Sequence, residues 1–259
     1  MQIEDNHGPA DRADAAAVQA FLRARARSGD KVGPFSILFS PSERSPFANY
    51  AIPADDARPT TTDIGALIEA FRTRERQPRL EYVPSAAPAV EPALLAAGFS
   101  AEMRPPLMTR RPNAGVPLLT VDGFSLRFVE DALHLAQAAG VSAETFGGAE
   151  SDAQWLMGAV SRGGGVLVAY DQQSGEAAGT GAFIRPRGGV TEVVGIGVRP
   201  TSRRRGLGQA IAGGLAEAAF DKGCALVFLS AAGEAQSEIY ARAGFVRRSP
   251  MLFISKTED

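Results

Sequence analysis

The chain has 259 residues, of which 45% are hydrophobic, 22% charged and 7% aromatic. That length and composition fit one large globular core or two small ones, and they exclude disordered and collagen-like chains. Lys plus Arg is 27 against 29 for Asp plus Glu, a net charge of −2. Residues before Gly115 carry 14 basic and 14 acidic side chains and the remainder 13 and 15, so neither half has the broad positive field of a nucleic-acid binder.

The single cysteine, Cys224, cannot form an internal disulfide, which fits a reducing, cytoplasmic setting. No apolar run approaches the roughly 18–20 residues of a membrane span, and an N-terminus with Glu4 and Asp5 does not read as a signal peptide. His7 and His134 have no cysteine or second histidine at ligand spacing, so no metal site is expected. Prolines are uneven: 14 of the 17 lie in residues 1–117, and the two halves are therefore built differently.

Taken in order, residues 11–27 predict a helix with Val18, Phe21 and Leu22 on one face. Short strands are expected at Phe35–Phe39 and Asn49–Ile52. Thr62 or Asp63 can cap a helix bearing Ile64, Leu67, Ile68 and Phe71. Arg79–Val83 reads as a strand, Pro88–Ala97 as a short helix stopped by Gly98, and Phe99–Arg111 as one extended stretch. Two prolines, an asparagine and a glycine at 111–118 mark a boundary, dividing the chain into 1–114 and 115–259.

The second half predicts a bent strand or strand pair at Leu118–Val129 and a helix at Asp131–Ala143. A second helix, capped by Asp152, is expected to end at Gly163–Gly165. Strands follow at Val166–Tyr170, Ala177–Ile184 and Thr191–Val198. An Arg/Gly loop then leads into a helix to about Lys222, a strand at Leu226–Ser230, a helix around Gln236–Ala243 and a last strand from Phe245 to Ile254. Helices flanking a meander that ends in a βαβ unit predict a mixed, mostly antiparallel α/β sheet. LLAAGF at Leu94–Phe99 is echoed by YARAGF at Tyr240–Phe245, 146 residues on, which points to a duplicated domain.

The sharpest chemical signal is VVGIGVRPTSRRRGLGQA, residues 193–210. A β-branched strand runs through a loop directly into a helix, an arrangement that aims backbone N–H groups and the positive helix end at one spot. Gly206 and Gly208 let an anion approach the backbone, and Arg203, Arg204 and Arg205 add positive charge. There is no G-x-x-x-x-G-K-[ST], and the G-I-G at 195–197 lies inside the strand without dinucleotide spacing.

R-x-x-G-x-G at Arg203–Gly208, after a strand ending Gly-Val-Arg-Pro, resembles the acyl-CoA site of the GNAT acetyltransferase superfamily. Ile239-Tyr240 followed by Ala243-Gly244-Phe245 resembles that family's second signature, and the likeness covers roughly residues 118–256. The resemblance implies a GNAT-like fold and an N-acetyltransferase. The backbone at Ile196, Gly197 and Val198 would pair with the pantetheine of acetyl-CoA, and the N–H groups of Arg204, Arg205, Gly206, Leu207, Gly208 and Gln209 would cradle the pyrophosphate. A primary amine on a small molecule or peptide would attack the thioester directly in a ternary complex, without a covalent enzyme intermediate.

Tyr240 matches the family's proton donor; the alternative is that it packs against the sheet beside Ile239. The family's frequent asparagine seven residues earlier is Gly233 here, and Ser237 or Gln236 is expected to compensate. Glu192 begins the strand and is expected to share a face with Val194, Ile196 and Val198. It is a candidate general base or simply a solvated carboxylate. Glu144 and Glu150 lie where the family makes acceptor contacts, or in a solvated loop. Cys224 reads as a core residue.

The first half resembles a truncated copy of the same fold. Its loop, Pro53–Pro59, carries Asp55 and Asp56 where a pyrophosphate would sit, and Leu94 stands at the tyrosine position. It is expected to be a degenerate domain that either shapes the acceptor pocket or is structural. Two further readings compete with the enzyme: a GNAT-like module that binds acyl-CoA or a partner without turnover, and an arginine-loop nucleic-acid binder, which the balanced charge opposes.

Overall fold

The computed structural model describes residues 8–26, 29–41, 44–112, 115–147 and 150–257. The chain divides into two units, Met1–Leu107 joined by Arg248–Asp259, and Met108–Arg247. This differs from the expected division into 1–114 and 115–259 at both ends of the second unit.

The first unit opens with α1 (Pro9–Arg25), which has proline at its start and Arg23 and Arg25 in its last turn, both favourable for a helix. Val18, Phe21 and Leu22 form its buried stripe. Strands β1 (Asp30–Val32), β2 (Phe35–Leu38) and β3 (Tyr50–Pro53) follow, then α2 (Thr61–Arg72), β4 (Arg79–Tyr82), α3 (Val90–Ala96) and β5 (Ser100–Met103). α2 buries Ile64, Leu67 and Phe71 as their spacing predicts. Its cap is Thr60, two residues before Thr62, and Asp63 is the third helical residue that completes a capping box.

The chain continues through β6 (Leu107–Arg110), β7 (Phe124–Phe128), α4 (Ala132–Phe146), α5 (Glu150–Ser161), β8 (Gly165–Asp171), β9 (Ala177–Phe183) and β10 (Val190–Val198). After these come α6 (Leu207–Asp221), β11 (Leu226–Ser230), α7 (Glu234–Arg242), β12 (Val246–Arg247) and β13 (Leu252–Ser255). The strands form a six-stranded sheet, β1-β2-β3-β4-β13-β5, and a seven-stranded sheet, β12-β6-β11-β10-β9-β8-β7. Both are mostly antiparallel, with parallel pairs at β3–β4 and β10–β11. The mixed α/β fold expected from the sequence is the fold observed.

Two expected strands are each split between the sheets. Phe99–Arg111 becomes β5 and β6, and Phe245–Ile254 becomes β12 and β13. The prolines explain the breaks: Pro105 and Pro106 fall between β5 and β6, and Pro250 between β12 and β13. A residue without an N–H cannot continue a ladder, so the chain changes direction there. β13 then pairs with β4 on one side and β5 on the other, which makes the C-terminal segment an inner strand of the first unit. Within that unit, buried Ser249 and Asp11 bond through the Ser249 N–H at 3.0 Å, and Arg248 Nε donates to Asp14 at 2.8 Å.

In the second unit α6 covers one face of the sheet, and α4 and α5 cover the other. Leu207, Ile211 and Leu215 of α6 join Leu167, Phe183, Val193 and Val227 in one core. Val141 of α4 and Leu156 of α5 join Val166, Val168 and Ala182 in a second. Two glycines of β9 let α6 come close. A Cβ on Gly179 would lie 2.9 Å from Ile211 Cδ1, and one on Gly181 would lie 2.9 Å from Ile211 Cγ2. Burying Ile211 and Leu215 is worth about 1.5–3 kcal/mol each, so these glycines hold the helix that carries the Arg/Gly loop. No helix among the described residues is long and apolar enough to cross a membrane.

Candidate functional site

The site begins where β10 leaves its neighbour. β10 pairs in parallel with β11 only at Val190–Glu192, whereas it pairs with β9 as far as Val198. The β9 register slips between Val194 and Gly197, and Gly195 sits in the left-handed region at φ 62°. A bulge of this kind bends the strand, and here it coincides with the separation of the two strands. Past Glu192 the β11-facing edge of β10 lies open over Val193–Val198, including the backbone of Ile196, Gly197 and Val198.

The bulge also changes which way side chains point. Val193 packs in the α6 core and Val194 in the core of α4 and α5, while Ile196 and Val198 again pack on the α6 side. The expectation that Glu192 shares a face with Ile196 and Val198 is therefore corrected. The extra residue at the bulge breaks the two-residue period, and Glu192 keeps only Val194 as its face-mate. Glu192 is partly buried.

After β10, Arg199 returns its N–H to Ala178 at 2.8 Å, and Pro200–Ser202 make a single 3-10 turn. Arg204 and Gly206 both adopt left-handed conformations, φ 62° and 88°. Such turns point successive N–H groups to the same side of the chain. Gly206 is the N-cap of α6 and has no side chain to satisfy the first turn; the helix's own bonding starts with the Ala210 N–H to the Gly206 carbonyl at 3.0 Å. Among the described residues, the N–H groups of 204–209 have no backbone acceptor.

The residues carrying these groups, Arg205 excepted, line a cavity of about 480 Å³ together with Val198, Ser202, Arg203, Ile239 and Arg242. Arg203 Nε donates to the Val198 carbonyl at 3.0 Å, and Gln209 Nε2 donates to the Arg242 carbonyl at 3.0 Å, joining the start of α6 to the end of α7. Leu207 is buried in the α6 core and anchors the first turn.

Four expected contacts, at Ile196, Gly197, Arg205 and Ser237, are not among the residues lining this cavity. Arg205 turns its guanidinium over the Phe124 ring, 4.3 Å from the centroid, and its Nη2 approaches the Asp122 carbonyl; only its backbone can serve an anion here. Ser237 is buried and donates from Oγ to the Gly233 carbonyl at 3.0 Å within its own helix. It therefore does not replace the missing asparagine. Gly197 is buried with Thr145 beside it, since a Cβ there would lie 3.0 Å from Thr145 Oγ1.

Tyr240 is partly buried on α7 and meets Phe245 edge-on, with ring centroids 6.4 Å apart. Burial pushes its hydroxyl pKa above the ordinary tyrosine value of about 10, so it holds its proton through neutral pH. Glu144 pairs with Arg199 at 3.0 Å. Cys224 is buried with its thiol pKa raised by burial, the inert state expected of a core cysteine. The side chain of Glu150 and the cap expected at Asp152 lie outside the described side chains. Ile239 and Arg242 also line the cavity; Ile239 lies in the second signature and Arg242 between its two parts, and neither carries a separate sequence signal for that role. Trp155, whose rim stands over Gly195, carried no motif at all. An isolated glycine within a predicted strand was the available signal for the bulge.

The corresponding helix of the first unit is closed. The Asp63 carboxylate accepts from the Thr60 N–H at 2.8 Å and the Thr60 hydroxyl at 2.7 Å, while the Asp63 N–H donates to Thr60 Oγ1 at 3.2 Å. Bonding from Thr60 holds the Asp63 pKa below the ordinary carboxylate value, so at neutral pH a negative charge sits where α6 leaves its donors open.

The family model described as Acetyltransferase (GNAT) family matches residues 130–245. These residues carry a GNAT-family match. The whole chain is similar in fold to a GCN5-related N-acetyltransferase from Kribbella flavida, with TM-score 0.78, 23% identity and 97% of each chain covered. A GCN5-related N-acetyltransferase from Sphaerobacter thermophilus gives TM-score 0.66 at 16% identity, covering 96% of this chain and 93% of that one. A tandem GNAT protein from the clavulanic acid biosynthesis pathway gives 0.61 at 15%, covering 96% and 97%. The N-terminal unit thus has a GNAT-like fold as well. No curated protein matches the chain by sequence. The GNAT match makes acyl transfer the chemistry to test against the geometry.

Proposed function

We propose that the second unit transfers an acetyl group from acetyl-CoA to a primary amine in a ternary complex. The observation that carries this reading is the set of open N–H groups at 204 and 206–209, on residues that line a cavity of about 480 Å³, a size that suits a small anionic ligand. The pyrophosphate takes these donors. The pantetheine runs along the open edge of β10, from Val198 towards Gly195, and the thioester arrives near the bulge.

The neutral amine attacks the thioester carbonyl; the new C–N bond forms and the C–S bond breaks. The proton lost by the amine goes to Glu192, directly or through water, and the departing thiolate takes a proton from Tyr240. The raised pKa of Tyr240 supports its being loaded for that task. The first unit, with its helix terminus occupied by Asp63, does not bind acyl-CoA in this manner.

Thiol release measured with acetyl-CoA and a panel of primary amines tests the reading. Amine-dependent release that saturates in both substrates is expected. Saturable acetyl-CoA binding with no release from any amine would make the domain a binding module and overturn it.

A further inference from the structure

We propose that Trp155 is the specificity-determining wall of the acceptor pocket, and that the amine accepted carries an aromatic or bulky aliphatic group; this rests on the acetyl-transfer reading above. Three observations lead there.

The α6 side of the bulge is filled. Ile211 and Leu215 pack against Gly179 and Gly181 of β9, and a Cβ on Gly181 would already lie 3.1 Å from Ile196 Cγ1. Helix α6 thus packs directly against that side of β9 and β10 beside the bulge. An acceptor must come from the face that carries α4 and α5.

On that face the residue at the bulge is Trp155. A Cβ on Gly195 would lie 3.6 Å from both Cζ3 and Cη2 of the indole, so the outer rim of the ring stands over the bare glycine. The neighbouring Leu156 is buried in the core of α4 and α5, whereas Trp155 keeps 38% of its surface exposed. A large indole left half-open beside a reacting centre is apolar surface that a bound group can cover.

The same face carries a carboxylate. Strand alternation puts Glu192 with Val194 on the side of α4 and α5, ahead of the bulge. An acceptor with an ammonium group at one end and an apolar group beside it satisfies both. A polyamine, charged along its length, leaves the indole uncovered.

Trp155 is the only tryptophan of the chain, so its emission reports on this point alone. The 259-residue protein, saturated with CoA, is titrated with 2-phenylethylamine and with spermidine while tryptophan emission is followed. Phenylethylamine should shift or quench the emission saturably, and spermidine should not. In turnover with acetyl-CoA, Trp155→Ala should raise KM for phenylethylamine about tenfold with a much smaller change in kcat, and Trp155→Phe should restore most of the loss. Acetyl-CoA affinity, measured by calorimetry, should be unaltered in both variants and serves as the check that they fold. Emission that ignores phenylethylamine, or a KM indifferent to Trp155→Ala, overturns the proposal. If no amine releases thiol although acetyl-CoA binds, the transfer reading fails, and the emission titration by itself still decides whether Trp155 meets an apolar amine.

Discussion

Thr60 and Asp63 bond to each other across the first turn of α2, with the Asp63 carboxylate accepting both the N–H and the hydroxyl of Thr60. The counterpart in the second unit is Gly206, which offers no side chain at the start of α6. One helix end is satisfied from within and the other leaves its donors open. The difference between the proposed anion site and its closed counterpart in these two units of GNAT-like fold comes down to a few atoms at a helix N-terminus.

Removing the internal cap should therefore cost stability and not function. Thr60→Ala is expected to destabilise the protein by about 1 kcal/mol, read by urea or thermal unfolding, with acetyl-CoA affinity unchanged. A large loss of that affinity would mean that the two helix ends are coupled. The cap also has a pH signature. The Asp63 pKa is lowered in the folded protein, so its contribution is present above the unfolded carboxylate value of about 3.9 and is lost as pH falls through the folded value. Asp63→Asn should remove that acid-side component from the pH dependence of the melting temperature.

Gly206→Val tests the open end. A side chain there must adopt φ 88°, and its Cβ would lie 3.2 Å from Leu119 Cδ2. The left-handed conformation costs about 1–2 kcal/mol, and forcing the turn to relax re-aims the N–H groups of the following residues. Acetyl-CoA affinity by calorimetry should fall at least about tenfold, while circular dichroism should stay that of the folded protein. An unchanged dissociation constant would remove the cavity from consideration.

Tyr240→Phe keeps the ring that meets Phe245 edge-on and deletes only the hydroxyl. Turnover is expected to drop about a hundredfold, within the span of general-acid effects, with little change in acetyl-CoA affinity. Because burial raises the Tyr240 pKa, the acid stays protonated up to its ordinary value near 10 and beyond. A wild-type kcat that declines between about pH 7 and 9 through loss of a Tyr240 proton would contradict this role. Steady-state rates of both proteins across that range supply the answer.

Gly181→Ala probes the scaffold beneath the site. Its Cβ would meet Ile211 Cγ2 at 2.9 Å, Leu215 Cδ1 at 3.0 Å and Ile196 Cγ1 at 3.1 Å. These are branched core side chains with little freedom to move. Overpacking of this kind costs about 1–3 kcal/mol, and a shift of α6 away from β9 carries the Arg/Gly loop with it. Both the unfolding midpoint and acetyl-CoA affinity should decline together.

What the sequence determined by itself was local. The Arg203–Gly208 loop, the helix after it, the tyrosine before Gly244 and the acidic loop of the first half are written in consecutive residues. The left-handed turns, the missing cap and the helix end follow from glycine and arginine at fixed offsets. Tertiary structure decided what depends on partners distant in the chain. Which sheet takes Leu252–Ser255 depends on pairing with Arg79–Tyr82 and Ser100–Met103, and the prolines announce only the breaks. The reversal of faces at Gly195 depends on register against β9, the turning away of Arg205 on the Phe124 ring, and the rim of Trp155 on how α5 meets the bulge. In each case the deciding contact joins residues far apart in the chain, and only the packed fold brings such surfaces together.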